Sequence, residues 1–77
     1  MKAKEIAPNI VIDPKVKFGK PVVKGTRVPV DLIIGRIAAG ETIEKIAEEY
    51  DLTKEHITAA LRYAERVIKE ERLIYTD

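Results

Sequence analysis

The sequence predicts a small, mostly α-helical domain in which a short N-terminal β-hairpin precedes a three-helix bundle. Three observations lead to this fold class. The 77 residues are enough for one domain with a modest core. β-Branched runs punctuated by proline and glycine are confined to the first third of the chain. Beyond Pro29, apolar residues recur at helical spacing almost to the last residue.

The β element is predicted over residues 10–29, after a tail at 1–9 that we expect to be loosely held. Its β-branched runs are IVIDP (10–14) and PVVKG (21–25), and between them VKFG (16–19) alternates and breaks at Gly19. A small antiparallel hairpin is the simplest arrangement, with the pairing and register of the strands left open. Pro21 lacks an N–H donor, so the second strand begins there or lies at an edge. Such an edge offers one route to pairing between two chains.

The helices are predicted from apolar stripes and from the residues that bound them. Val30, Ile33 and Ile34 open a stripe of spacing i, i+3, i+4 that continues through the first helix. A glycine at position 40 suits the residue just beyond the end of a helix. Thr42 and Thr53 suit the N-caps of the second and third helices. The predicted helices span residues 30–39, 42–50 and 53–72. Together with the β element they form one predicted domain over residues 10–77.

Helices two and three fit the pattern of a helix-turn-helix unit. Ala47 is the small residue that lets a second helix cross closely, and Leu52 is the apolar anchor of the turn. Ile57 and Ala60 would face back from the third helix. Asp51 stands where a turn glycine is usual, and aspartate tolerates left-handed backbone better than most residues.

The charges divide the chain into a basic and an acidic half. Residues 1–36 carry eight basic and three acidic groups, while residues 37–77 carry six basic and ten acidic groups. In a helix-turn-helix protein the exposed start of the second helix reads base edges. Because the preceding helix is acidic, we expect the hairpin to supply most of the positive charge. The predicted DNA contacts are Lys20, Lys24, Arg27, Thr53, Lys54, Thr58 and Arg62.

The segment FGKPVVKGTRVPV (18–30), with IVIDP before it and LIIGRIAAGETIEKIAEEYDLTKEHITAALRYA after it, resembles domain-of-unknown-function family 433. The resemblance runs from about residue 8 to residue 68. The matching positions are Gly19, Lys20, Pro21, Gly25, Thr26, Arg27, Val28, Val30, Gly40, Ile46, Ala47, Leu52, Ile57, Ala60 and Leu61. The resemblance implies a homeodomain-like helical fold and an antitoxin role, often beside a PIN-like nuclease toxin.

Arg27 in the Gly-Thr-Arg motif has two interpretations. Its planar fork of donors can clamp the hairpin to the helices through a salt bridge or a backbone carbonyl. Alternatively, it contacts a phosphate or a carboxylate of a partner. Thr26 is expected to hold the adjacent turn by local hydrogen bonds.

Two functions remain open on the sequence. One is an antitoxin or transcriptional regulator that binds double-stranded DNA as a dimer and neutralises a nuclease toxin. The other is a protein-interaction module that binds a partner without touching DNA, and both activities can coexist. Catalysis is not expected, since the chain has no cysteine and no serine, and its only histidine, His56, fits a helix cap. No metal or cofactor is expected.

Dimerisation is predicted from size, because a core this small leaves apolar residues of the third helix uncovered. The expected partner or dimer contacts are Val67, Ile68, Leu73 and Ile74. No apolar run reaches the length of about 20 residues that a membrane span needs. The start MKAKEIAP lacks the apolar stretch of a secretory signal, so we expect a cytoplasmic protein.

Overall fold

The computed structural model describes residues 3–71 of the chain. A three-stranded antiparallel sheet at the N-terminal end is followed by three helices. The elements are β1 (Lys4–Ala7), β2 (Ile10–Ile12), β3 (Pro21–Val23), α1 (Val30–Ala38), α2 (Ile43–Tyr50) and α3 (Lys54–Glu70).

The expected two-stranded hairpin is wrong in its number of strands, since the sheet has three in the order β1-β2-β3. The additional strand, β1, lies within the stretch expected to be a loose tail. Glu5 pairs with Val11, and a register shift separates this pair from Ala7 and Ile10. The turn closes when the backbone N–H of Asn9, at φ 64°, donates to the Glu5 carboxylate at 2.9 Å. Four residues with one clearly apolar member carry too little alternation to predict a strand.

The IVI and PVV segments of the two β-branched runs pair antiparallel as β2 and β3. Val22 of β3 lies opposite Val11 of β2, with flanking pairs on either side. The outer edge of β3 is occupied by the same chain, because the Val23 N–H donates to the Val28 carbonyl at 3.0 Å. Pro21 has no N–H to offer there. Strand addition at this edge, expected as a route to dimers, therefore finds few free backbone donors.

The Gly25–Thr26 turn after β3 confirms the expected local role of Thr26. Gly25 adopts φ +80°, a conformation that favours glycine. The Thr26 hydroxyl donates to the Val23 carbonyl at 2.8 Å and accepts from the Val28 N–H at 3.0 Å. These bonds carry the chain from the sheet to the start of α1.

The predicted helix caps are confirmed. The Thr42 hydroxyl accepts the Lys45 N–H at 3.1 Å, and the Thr53 hydroxyl accepts the His56 N–H at the same distance. Gly40 follows α1 with φ +97°. The helices begin and end within two residues of the predicted ranges, as is usual for frayed ends.

The core lies between the sheet and the inner faces of the three helices. Asp51 adopts the left-handed conformation, with φ 56°, and Leu52 turns inward between α2 and α3. This matches the expected roles of both residues. The buried residues of the core cluster are Ile10, Val23, Val30, Ile33, Ile46, Leu52, Ile57 and Ala60.

Candidate functional site

An open groove of about 370 Å³ runs between α3 and the turn that joins β1 to β2. We call it the α3 groove. Ile57 and Ala60 anchor the opposite side of α3 in the core with no exposed surface. Helical spacing therefore turns the 54, 58 and 62 positions outward together. The groove is lined by Ala7, Pro8, Asn9, Lys54, Glu55, Thr58, Ala59, Arg62, Tyr63 and Arg66.

Three of the predicted DNA contacts meet in this groove, namely Lys54, Thr58 and Arg62. All three are exposed. Lys54 lies 3.9 Å from the Glu44 carboxylate, and both side chains of this pair are more than two-thirds exposed. An ion pair this exposed to solvent contributes little to stability, so Lys54 is able to exchange Glu44 for another partner. Thr53 caps α3 beside the groove and does not line it.

The sequence analysis missed the part of the groove formed by the N-terminal strand and Arg66. The Arg66 guanidinium donates to the Ile6 carbonyl at 3.0 Å and lies 5.9 Å from the centre of the Tyr63 ring. The hydrogen bond to the Ile6 carbonyl joins β1 to α3. The Pro8-Asn9 pair between two short apolar runs was the available turn signal.

The basic residues of the N-terminal half do not join the α3 groove. Lys20 pairs with Asp31 at 3.0 Å, and Lys24 pairs with Glu5 at 3.2 Å, all of them substantially exposed. The Asn9 N–H and then the Lys24 ammonium hold the pKa of Glu5 below its usual range. The predicted contacts Lys20 and Lys24 therefore lie outside the groove, at opposite ends of β3.

Arg27 does not act as the expected clamp within the part of the chain that the structure describes. Its side chain is exposed, and across residues 3–71 it forms neither a hydrogen bond nor an ion pair. Thr26 and the backbone already hold the turn that Arg27 was expected to fasten. The other interpretation, contact with a phosphate or a carboxylate of a partner, stays a prediction.

Arg36, which the sequence analysis did not single out, ties α1 to the next helix. Its guanidinium forms a bidentate pair with Glu41, one bond of which spans 2.7 Å. It donates to Glu49 at 2.7 and 3.2 Å and to the Tyr50 hydroxyl at 2.6 Å. The Arg36 guanidinium holds the pKa values of both carboxyls below their usual range, and they raise its own pKa in turn.

This cluster changes the electrostatic interpretation of α2. The sequence predicts an acidic α2, and the structure engages one of its carboxylates, Glu49, with Arg36. Glu44 lies beside Lys54. Part of the negative charge that made this region a poor match for phosphates is therefore balanced locally.

His56 completes a capping box at the start of α3. Its Nδ1 accepts the Thr53 N–H at 3.1 Å, while the Thr53 hydroxyl accepts the His56 N–H. The expected capping role of His56 is confirmed. Among residues 3–71 no group of three or more His, Asp or Glu side chains is arranged to hold a metal ion. Over the same residues no helix has the length and apolar content to cross a membrane.

Two of the predicted dimer contacts, Val67 and Ile68, lie beyond the groove on the last turns of α3. Val67 is 43% exposed and Ile68 is 69% exposed, so the rest of the described chain leaves both largely uncovered. Leu73 and Ile74 lie outside the described residues. The PIN-like partner and the homodimer stay predictions.

The sequence model of the family described as "Protein of unknown function (DUF433)" matches residues 10–64. The chain belongs to this family. The match extends from β2 through most of the groove-lining part of α3 and ends before Val67. The DUF433 resemblance drawn from the sequence is therefore confirmed.

Two relatives of this DUF433 chain are longer proteins. It is 36% identical over 53 residues to a Mycobacterium tuberculosis protein (strain ATCC 25618 / H37Rv) named "Putative antitoxin VapB45", covering 69% of this chain and 22% of that protein. It is 40% identical over 57 residues to "Uncharacterized protein y4eO" of Sinorhizobium fredii (strain NBRC 101917 / NGR234), covering 73% and 26%. The crystal structure of Rv2018 from Mycobacterium tuberculosis superposes with a TM-score of 0.63 at 36% identity, covering 69% and 25%. The chain thus spans about a quarter of the length of these relatives.

Proposed function

We propose that this DUF433 chain is a helix-turn-helix antitoxin or regulator of a toxin–antitoxin pair that binds duplex DNA as a dimer and neutralises a nuclease toxin. The observation that carries the proposal is the meeting of Lys54, Thr58 and Arg62 in one open groove. A relative whose name includes "antitoxin" supports the biological setting.

The turn between α2 and α3 supports the helix-turn-helix part of the proposal. Asp51 reverses the chain in a left-handed conformation, and its neighbour Leu52 is 7% exposed. Ile46 and Ile57 hold the two helices on one core. This leaves the first turns of α3 exposed, where such proteins present the residues that read base edges. A homeodomain-like arrangement of the three helices belongs to the same proposal.

The chemistry of the groove suits a nucleic acid. Lys54, Arg62 and Arg66 contribute three cations, and Glu55 contributes the one carboxylate. Arginine and lysine pair with phosphates or with guanine, and threonine offers a methyl group to thymine. Two or three phosphate contacts predict that the logarithm of the binding constant falls with log salt at a slope of about −2 to −3 for each chain.

The test is fluorescence anisotropy of the purified chain with duplex DNA from upstream of its own gene, and with a scrambled duplex. Both are titrated from low to physiological salt. Arg62→Ala should weaken binding by about tenfold or more and reduce the salt slope by about one. Arg27→Ala is the comparison that distinguishes the sheet side from the groove, since both arginines are exposed and only Arg62 lines the groove.

An equal loss of affinity in Arg27→Ala and Arg62→Ala would move the contact surface towards the sheet. Absence of binding to either duplex at low salt would contradict DNA recognition altogether. The toxin part is tested separately by co-expression with the product of the neighbouring gene, followed by a nuclease assay. Co-purification with loss of nuclease activity is the expected result.

A second function, protein binding without DNA, is favoured by the exposed apolar residues outside the groove. Phe18 is fully exposed, Ile68 is largely exposed and Val67 is 43% exposed. Large apolar side chains in solvent are the usual anchors of protein interfaces. In this alternative, the neighbouring gene product binds the chain while both DNA duplexes fail to bind.

A further inference from the structure

The exposed apolar side chains of the described chain form two groups with opposite surrounding charge. Phe18 lies in the loop between β2 and β3, where Lys15, Lys17 and Lys20 are also exposed. Val67 and Ile68 lie at the C-terminal end of α3. The first group is a basic surface with an aromatic centre, which we call the Phe18 loop (residues 15–20).

The Phe18 loop is held in an unusual backbone conformation. Lys17 and Phe18 have φ values of 52° and 57°, and Gly19 follows with φ 82°. Two successive non-glycine residues in the left-handed region are costly, and such strain is concentrated at functional positions. The Val16 carbonyl accepts the Gly19 N–H at 3.1 Å, and the Lys17 carbonyl accepts the Lys20 N–H at 3.1 Å. The strained turn is therefore closed by hydrogen bonds and directs a whole phenylalanine ring into solvent.

The loop lies away from the α3 groove. The groove borders Ala7, Pro8 and Asn9, at the end of the sheet where β2 begins. The Phe18 loop follows Ile12, at the opposite end of β2, where Ile12 pairs with Pro21. DNA in the groove would leave this loop available to a different partner.

The end of α3 has the complementary chemistry. On a helix, residues three and four positions apart are neighbours, so Glu65 and Glu71 flank Ile68. Glu70 and Glu71 adjoin Val67 in the same way. Within the described residues none of these three glutamates forms an ion pair. An apolar pair is therefore bordered by carboxylates, whereas Phe18 shares its loop with the exposed Lys15 and Lys17 and with Lys20, which pairs with Asp31.

We infer that the Phe18 loop of one chain binds the Val67–Ile68 surface of a second copy, with lysines facing glutamates around the apolar contact. A closed dimer makes this contact twice, as a twofold axis requires. The inference deepens the dimer of the proposed function by naming both halves of its interface. One buried Phe side chain removes roughly 150–250 Å² from water, so a dimer built on two such contacts lies at the small, weak end of protein interfaces.

The test is sedimentation velocity of the full chain without DNA, across a wide concentration series at low and moderate salt. The wild type should be a dimer that weakens as salt rises. Phe18→Gly should raise the dissociation constant at least tenfold while leaving the melting temperature unchanged or higher, because glycine relieves the positive φ. Ile68→Ser should weaken the dimer similarly.

Charge reversal tests the orientation of the two surfaces. Lys17→Glu and Glu71→Lys should each weaken the dimer, and the double variant should recover most of the affinity. Lys45→Glu, a reversal of an exposed lysine on α2, is the control and should leave the dimer unchanged. A monomeric wild type, or a dimer insensitive to Phe18→Gly, would overturn the inference.

Failure of the double variant to recover affinity would overturn the pairing of the two surfaces, and growth beyond a dimer would overturn the twofold arrangement. DNA binding is measured separately through Arg62→Ala, so failure of the dimer and failure of DNA recognition remain distinguishable.

Discussion

Arg36 and Arg62 lie on different helices of the same small domain and have opposite surroundings. Arg36 donates to two carboxylates and a tyrosine hydroxyl and fastens α1 to α2. Arg62 is exposed in the α3 groove, and the described residues offer it no hydrogen bond or ion pair. A cation whose donors are satisfied stabilises the fold, whereas one held in solvent can donate to a ligand. The net charge of a region therefore says less than which charges are already paired.

The largest expected loss of stability distinguishes the buried side of α3 from its groove side, at the adjacent residues Ile57 and Thr58. Ile57 is fully buried, and Ile57→Ala should lower the free energy of unfolding by about 2–5 kcal/mol. Thr58 faces the groove, so Thr58→Ala should change stability by at most about 0.5 kcal/mol. Urea denaturation followed by circular dichroism measures both. Similar losses in the two variants would show that the groove side of α3 is packed in solution.

Alanine substitution of Arg36 should affect stability, whereas alanine substitution of Arg62 should affect DNA binding. Arg36→Ala removes the shared partner of Glu41 and Glu49, so the melting temperature should fall. Arg62→Ala should leave the melting temperature unchanged and should weaken DNA binding. Thermal melts and anisotropy on the same preparations check both variants. The distinction fails if Arg62→Ala destabilises the fold as much as Arg36→Ala does.

Acid should weaken the Arg36 cluster. Its guanidinium lowers the folded-state pKa values of Glu41 and Glu49, so their contribution is present above the ordinary pKa of about 4.3. It is lost as the pH falls through the lowered folded values, because the unfolded chain then binds more protons. In denaturation series below pH about 5, the free energy of unfolding should therefore fall less steeply with decreasing pH in Arg36→Met than in the wild type.

Glu5, whose pKa is also lowered, keeps its own acid response in both proteins. Lys69→Met is the control, since it removes an exposed cation from the last turn of α3. A pH profile of Arg36→Met that superposes on the wild type would contradict the role of the cluster.

A modest stability effect is expected at the capping box of α3. Thr53→Ala removes the hydroxyl that accepts the His56 N–H and should cost about 1 kcal/mol. His56→Gln should cost less, because glutamine at this position can also accept the Thr53 N–H. Chemical denaturation ranks the two variants. A larger loss in His56→Gln would mean that the imidazole does more than complete the cap.

Most of the helical half could be predicted because its signals are local. The threonine caps, the left-handed Asp51 and the inward Leu52 depend on residues within a few positions along the chain. The positions 54, 58 and 62 share one side of α3 through helical spacing alone. The outward direction of three candidate contacts was therefore predictable.

The sequence by itself determined the three helices and their caps, because short-range hydrogen bonds and apolar periodicity specify them. Only the tertiary structure decided that β1 joins the sheet, since a four-residue strand gains its stability from its neighbours. It also brought Arg36 to Glu49, thirteen residues away, and left Arg27 without the clamp that its motif suggested. Which charges pair depends on distances between elements, and those distances are set by how the helices pack on the sheet.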